Sequence, residues 1–126
     1  MKKLLGMILV LGLLLNGNAY SNWIESSKSN NGTLYYNPET LTKNEKTSFI
    51  WTLIDHKEIK DRGKSRKIHL EVNCINRKFK MHYMTIYKDQ LGQGDIVEGF
   101  SISEESEWTS AIPGSTLYPV IKVVCN

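Results

Sequence analysis

Three histidines are the residues whose type and spacing most invite chemistry. His56, His69 and His82 recur at intervals of 13 residues, with Glu71 between the last two. Imidazole and carboxylate groups brought together make a ligand set for zinc or copper. The interval matches one strand plus one tight turn, so the three imidazoles are expected on three consecutive strands. In that register His56 lies opposite His69, and His82 lies next to Glu71. The competing explanation is that polar side chains simply occupy the solvated face of a half-buried sheet. Nothing in the sequence supplies the outer hydrogen bonds that orient metal-bound imidazoles, and no cofactor is expected.

A second group is cationic. Lys57, Lys60, Arg62, Lys64, Arg66 and Lys67 crowd around a turn at Arg62-Gly63, against only Glu58 and Asp61. Such a tip suits an acidic partner: an anionic glycan, lipid head groups or an acidic protein loop. It is equally a soluble turn whose lysines prevent edge pairing.

Cys74 and Cys125 are the only cysteines. Neither has a second cysteine or a histidine close in sequence, which argues against a nucleophile or a metal ligand. A disulfide is the expected state if the chain leaves the cytoplasm. Enzyme motifs are missing: there is no Gly-x-Ser-x-Gly, no His-Glu-x-x-His, no phosphate-binding glycine loop and no calcium loop, so no catalytic residue is expected.

Export is what the amino terminus implies. Lys2 and Lys3 precede an apolar run at 4–15, too short to anchor in a bilayer, followed by Gly17 and Ala19 at the positions a signal peptidase requires. Cleavage is expected after Ala19, leaving 20–126 as one domain in the periplasm or at the cell surface. The leader holds no cysteine for lipid attachment, and no other segment is long enough to span a membrane. Removing Lys2 and Lys3 leaves 14 Lys+Arg against 13 Asp+Glu, a net charge of +1. A nearly neutral domain lacks the broad positive field that nucleic-acid binding uses.

The elements that must position these residues are strands. Strands are expected at 23–27 and 33–37 around Asn31-Gly32, then at 48–57, 66–75, 79–88 and 96–102, with a polar connection at 38–46 and a reversal at Asn76-Arg77. Within 68–74, Ile68, Leu70, Val72 and Cys74 share one face, and His69, Glu71 and Asn73 share the other. Simple hairpins would set Leu53 and Trp51 on the Cys74 face, together with Phe79, Met81 and Tyr83. The opposite face would then carry Ile50, Ile54, Met84 and Ile86 beside the histidines, apolar enough for a partner or a second copy to cover. At the end of the chain Ser115 is a candidate helix cap, and Leu117, Ile121 and Val124 make one helical stripe with Pro119 in the first turn. The β-branched run there leaves a final strand open as the alternative. The disulfide requires Cys125 to lie over the Cys74 face of the sheet, and a helix packed across that face satisfies it well. The fold class expected is α+β, mainly β: an antiparallel meander sheet of about five to six strands with a C-terminal helix clasped to one face by the disulfide.

Taken in order, Trp51-x-Leu53-x-Asp55, Glu71-Val72-Asn73-Cys74-Ile75-Asn76-Arg77, Trp108-x-x-Ala111-Ile112-Pro113-Gly114-Ser115 and Val124-Cys125 resemble the surface-adhesin protein E family, as do Trp23-Ile24 and Tyr35-Tyr36-Asn37. The resemblance spans nearly all of 20–126. It implies a small bacterial envelope domain, a sheet with a C-terminal helix held by a disulfide, no enzymatic activity, and binding of host extracellular-matrix or plasma proteins. A periplasmic metal- or small-ligand-binding protein using the outer sheet face is the alternative.

Overall fold

The computed structural model describes residues 22–102 and 107–126. The expected signal at 1–19 and the acidic Glu104-Glu105-Ser106 lie outside the described residues. Six strands form an antiparallel meander in chain order: β1 (Ile24–Ser29), β2 (Gly32–Lys43), β3 (Ser48–Lys60), β4 (Gly63–Asn73), β5 (Lys78–Tyr87) and β6 (Ile96–Ser101). A two-residue β7 (Thr109–Ser110) adds to β5, and α1 (Tyr118–Cys125) closes the chain. No helix among the described residues is long and apolar enough to cross a membrane.

The terminal segment is a helix, although four β-branched residues disfavour one there. Packing decides the matter. Val120, Ile121 and Val124 are fully buried against Leu34, Ile50, Ile68, Leu70 and Val72. Pro119 sits in the first turn, where its missing N–H costs nothing. Ser115 does not cap α1. Its hydroxyl donates to the Ile112 carbonyl at 2.7 Å in the preceding turn, and Leu117 is the cap residue. The Cys74–Cys125 disulfide, with Cα atoms 5.4 Å apart, fastens the end of α1 to the end of β4.

β4 is read correctly by its alternation: Ile68, Leu70 and Val72 face α1. β3 is turned over relative to expectation. The hairpin turns at Asp61-Arg62, both left-handed, so that Lys60 pairs with Gly63. Residues 56–59 then oppose Lys64 alone, and the ladder resumes with Asp55 opposite Ser65, Thr52 opposite Ile68 and Ile50 opposite Leu70. The three extra residues are an odd number, and an odd slip exchanges the faces of a strand. Ile50 and Ile54 therefore point toward α1, while Phe49, Trp51 and Leu53 point away. A second bulge, at His82, does the same to the far half of β5. Phe79 and Met81 face α1 as expected, but Tyr83 faces outward and Met84 and Ile86 inward. The apolar outer set of Ile50, Ile54, Met84 and Ile86 thus belongs to the helix side.

The connection expected at 38–46 is mostly strand. β2 runs on to Lys43 through an irregularity at Pro38, where the Thr40 hydroxyl accepts the Trp51 N–H at 3.0 Å in place of a ladder carbonyl. The first turn also shifts by one residue, to Asn30-Asn31, because Gly32 pairs with Ser29. Gly32 crosses so close to β3 that any Cβ there would overlap the Asp55 carbonyl oxygen.

Candidate functional site

The face turned away from α1 carries aromatic rings in a row. β3 supplies Phe49 and Trp51, β4 supplies His69 and Glu71, and β5 supplies His82 and Tyr83. His69 is stacked between Trp51, with centroids 4.6 Å apart, and Phe49, at 5.5 Å. Tyr83 meets Trp51 edge-on at 6.4 Å. The bulge at His82 brings its Nε2 to 2.6 Å from Glu71 Oε1, so these two do meet as the sequence suggests. Burial among the rings, and secondarily His82, hold the His69 pKa below the ordinary histidine value.

Lysines flank the row. Lys67 Nζ lies over Tyr87 at 5.0 Å and Trp23 at 5.8 Å, and Lys80 Nζ lies over Trp108 at 5.7 Å. Between Trp23 and Trp51 is a shallow hollow of about 310 Å³, walled also by Asn37, Thr40, Thr85 and Tyr87. Most of these rings are half-buried, and Tyr83 is 37% exposed. Partly exposed Trp and Tyr held rigid by stacking offer large contact area with little conformational entropy to lose.

The other end of the same face is closed. Leu91 takes a left-handed conformation and its N–H donates to Asp55 Oδ1 at 2.6 Å. Gly92 N–H donates to Ser65 Oγ at 2.9 Å, and that hydroxyl donates to the Asp89 carbonyl at 2.6 Å. This loop lies over Leu53, which is fully buried although it faces away from α1. Burial raises the Asp55 pKa against the lowering effect of the Leu91 bond. Tyr35 is raised by burial and then by Asp55 and Glu25. Asp55 and Ser65 therefore serve architecture, and the aromatic end of this face stays open.

The sequence-predicted sites are divided by the sheet. His69, His82 and Glu71 share the aromatic face, but His56 is on the helix side, opposite no histidine; His69 instead pairs with Trp51. Among the described residues no three metal-ligating side chains come together. The basic set also splits. Lys57, Lys60, Arg62 and Lys64 are exposed at the tip, Lys67 belongs to the aromatic face, and Arg66 is only 8% exposed. Arg66 donates from Nε to His56 Nε2 at 2.9 Å and from Nη2 to Asp61 Oδ2 at 2.8 Å. Sequence reasoning missed the ring cluster of Phe49, Trp51 and Tyr83 because it turned β3 and the end of β5 the wrong way. Arg66 was legible: it is two residues from Ile68 on the inward face.

The His56–Arg66 bond fixes a pH dependence. His56 Nε2 accepts a proton donor, so the imidazole there is neutral. Burial, then Arg66, then Lys60 lower its pKa, with Asp61 opposing. A histidine whose folded pKa lies below its unfolded value of about 6.5 costs stability as pH falls through 6.5, and the loss levels off below the folded pKa. His69 acts in the same direction. The melting temperature is therefore expected to fall from pH 7.5 to pH 5.5, and His56→Leu should reduce that slope. A melting temperature independent of pH over this range would contradict the assignment.

The sequence profile of the surface-adhesin protein E family matches residues 23–126. Among solved structures the chain is similar to protein E of Haemophilus influenzae. One crystal form superposes with a TM-score of 0.62 at 19% identity, covering 83% of this chain and 87% of that one. Another structure of the same protein gives 0.61 at 19% identity, covering 83% and 84%. Protein E from a non-typeable Haemophilus influenzae gives 0.59 at 19% identity, covering 83% and 76%. No curated protein sequence matches significantly. At this identity the superpositions establish a shared fold, and the profile, spanning the described residues from Trp23 onward, establishes kinship: the chain belongs to the surface-adhesin protein E family.

Proposed function

We propose that this chain is an exported, non-catalytic adhesin of the bacterial envelope that binds host extracellular-matrix or plasma proteins through its open aromatic face. The observation that carries the reading is the stack of Phe49, His69 and Trp51, with Tyr83 at its edge and Lys67 and Lys80 beside it. Aromatic side chains in a rigid, partly exposed cluster are the residues from which interface hot spots are built. Kinship with an adhesin family argues for binding over catalysis. The alternative of a metal-binding outer face has two imidazoles and one carboxylate to rest on, with His56 removed to the other side.

The exposed tip at Lys57, Lys60, Arg62 and Lys64 supports a second mode, attraction to an anionic glycan, which one experiment separates from the first. Purified protein is applied to immobilised matrix proteins and to heparin. Trp51→Ala with Tyr83→Ala should weaken matrix-protein binding at least tenfold and leave heparin retention unchanged. Reversal of the four tip cations to Glu should do the opposite, with an effect that shrinks as salt is raised. Matrix-protein binding unaltered by the aromatic pair would sink the proposal. A concentration-dependent dimer abolished by that pair would assign the face to self-association instead. Protease treatment of intact cells tests display directly: a periplasmic protein would be protected.

A further inference from the structure

α1 has eight residues and covers only part of the inward sheet face. Beside it, between the sheet and the segment leading into the helix, lies a hollow of about 310 Å³. Leu34, Ile54, Ile68, Leu70, Met81 and Leu117 make it predominantly apolar. It shares Asn31, His56 and Lys60 with a second, more polar hollow of about 490 Å³, lined also by Asn30, Lys57, Glu58 and Ile59. The extra residues 56–59 of β3 form one side of this mouth and the β1–β2 turn forms the other. An apolar recess that opens through a few polar groups is the usual form of a small-ligand site.

We propose that this paired hollow binds a free single-chain amphiphile with an anionic head. The hydrocarbon chain occupies the inner recess, which at roughly 30 Å³ per water-sized group has room for about ten methylene-sized groups. The head lies at the mouth. Lys57 and Lys60 outnumber Glu58 in its lining, and the neighbouring Asp61 is paired with Arg66, so the local charge favours an anion. His56 accepts a hydrogen bond from Arg66 and stays neutral, so the attraction comes from Lys60 and Lys57. The recess lies on the face opposite the aromatic row, so this site and the adhesive face succeed or fail independently.

Titration calorimetry of the disulfide-bonded chain, with decanoate as probe, tests the proposal. Decanoate should bind saturably, and about a hundredfold more tightly than hexanoate, because further methylenes enter the apolar recess. It should bind at least tenfold more tightly than decanol, and Lys60→Glu should weaken it about tenfold. In methyl-labelled wild-type protein, decanoate should shift Leu34, Ile54, Met81 and Leu117. Absence of saturable binding overturns the proposal, as does equal affinity for decanol. Shifts confined to the surroundings of Trp51 would also overturn it. So would binding to anionic phospholipid vesicles without any response to decanoate, which would mean docking on a membrane surface.

Discussion

Replacing Cys74 and Cys125 by alanine is expected to lower the unfolding free energy by about 4 kcal/mol and the melting temperature by roughly 20 °C. The first figure follows from chain entropy. The bridge joins residues 51 apart, and closing a loop of that length removes about this much free energy from the unfolded chain. Domains are stable by only about 5–15 kcal/mol, so the loss is a large share of the whole. The structure adds a local cost. An eight-residue helix is far below the length that is stable alone, and α1 holds its shape through Val120, Ile121 and Val124 and through the bond at its last residue. Cut loose, α1 should fray and uncover Ile50, Leu70 and Val72. Denaturant unfolding with and without reductant measures the first effect, and binding of an apolar dye in dilute denaturant reports the second. A change below about 1 kcal/mol on reduction would show that α1 is held by packing alone.

The elements that were legible in the sequence share one property: their alternation is clean. Ile68-His69-Leu70-Glu71-Val72 has one apolar and one polar face, and no other orientation buries it well. β3 carries Phe49, Ile50, Trp51, Leu53 and Ile54 in near succession, so hydrophobicity does not choose between its faces. Only the turn could have fixed its register, and the bulge at 56–59 is written in His56, Lys57, Glu58 and Ile59, which read equally well as strand. His82 posed the same problem in one residue, although the three-residue step from Met81 to Met84 breaks a period of two and could have exposed it. The disulfide needed only composition and compartment. The aromatic face depends on the ambiguous strand and on the His82 bulge, so simple alternation places Trp51 and Tyr83 in the core although it sets His69, Glu71 and His82 correctly outside.

Arg66 is where the corrected register has its largest energetic consequence. Read as a turn cation, it would tolerate reversal at little cost. In the structure it stands opposite Ile54 on the helix side, with its guanidinium against His56, Asp61 and the Met84 sulfur. Arg66→Glu is therefore expected to destabilise by about 3 kcal/mol, since it places a carboxylate in a desolvated site beside Asp61 and removes the donor to His56 Nε2. Lys64→Glu, on an exposed side chain of the same strand, should stay within about 0.5 kcal/mol of wild type. Arg66→Met should fall between, near 1–2 kcal/mol, because the thioether fills space but leaves His56 without its partner. Combining it with His56→Leu should recover about 1 kcal/mol of that loss, because the orphaned acceptor is then gone. Urea midpoints of the four variants measure the series. An Arg66→Glu midpoint indistinguishable from that of Lys64→Glu would mean that the guanidinium lies in water and the register of β3 against β4 is wrong. The same series protects the binding experiments. A charge reversal that includes Arg66 would weaken binding by unfolding the tip, whereas one confined to Lys57, Lys60, Arg62 and Lys64 tests charge alone.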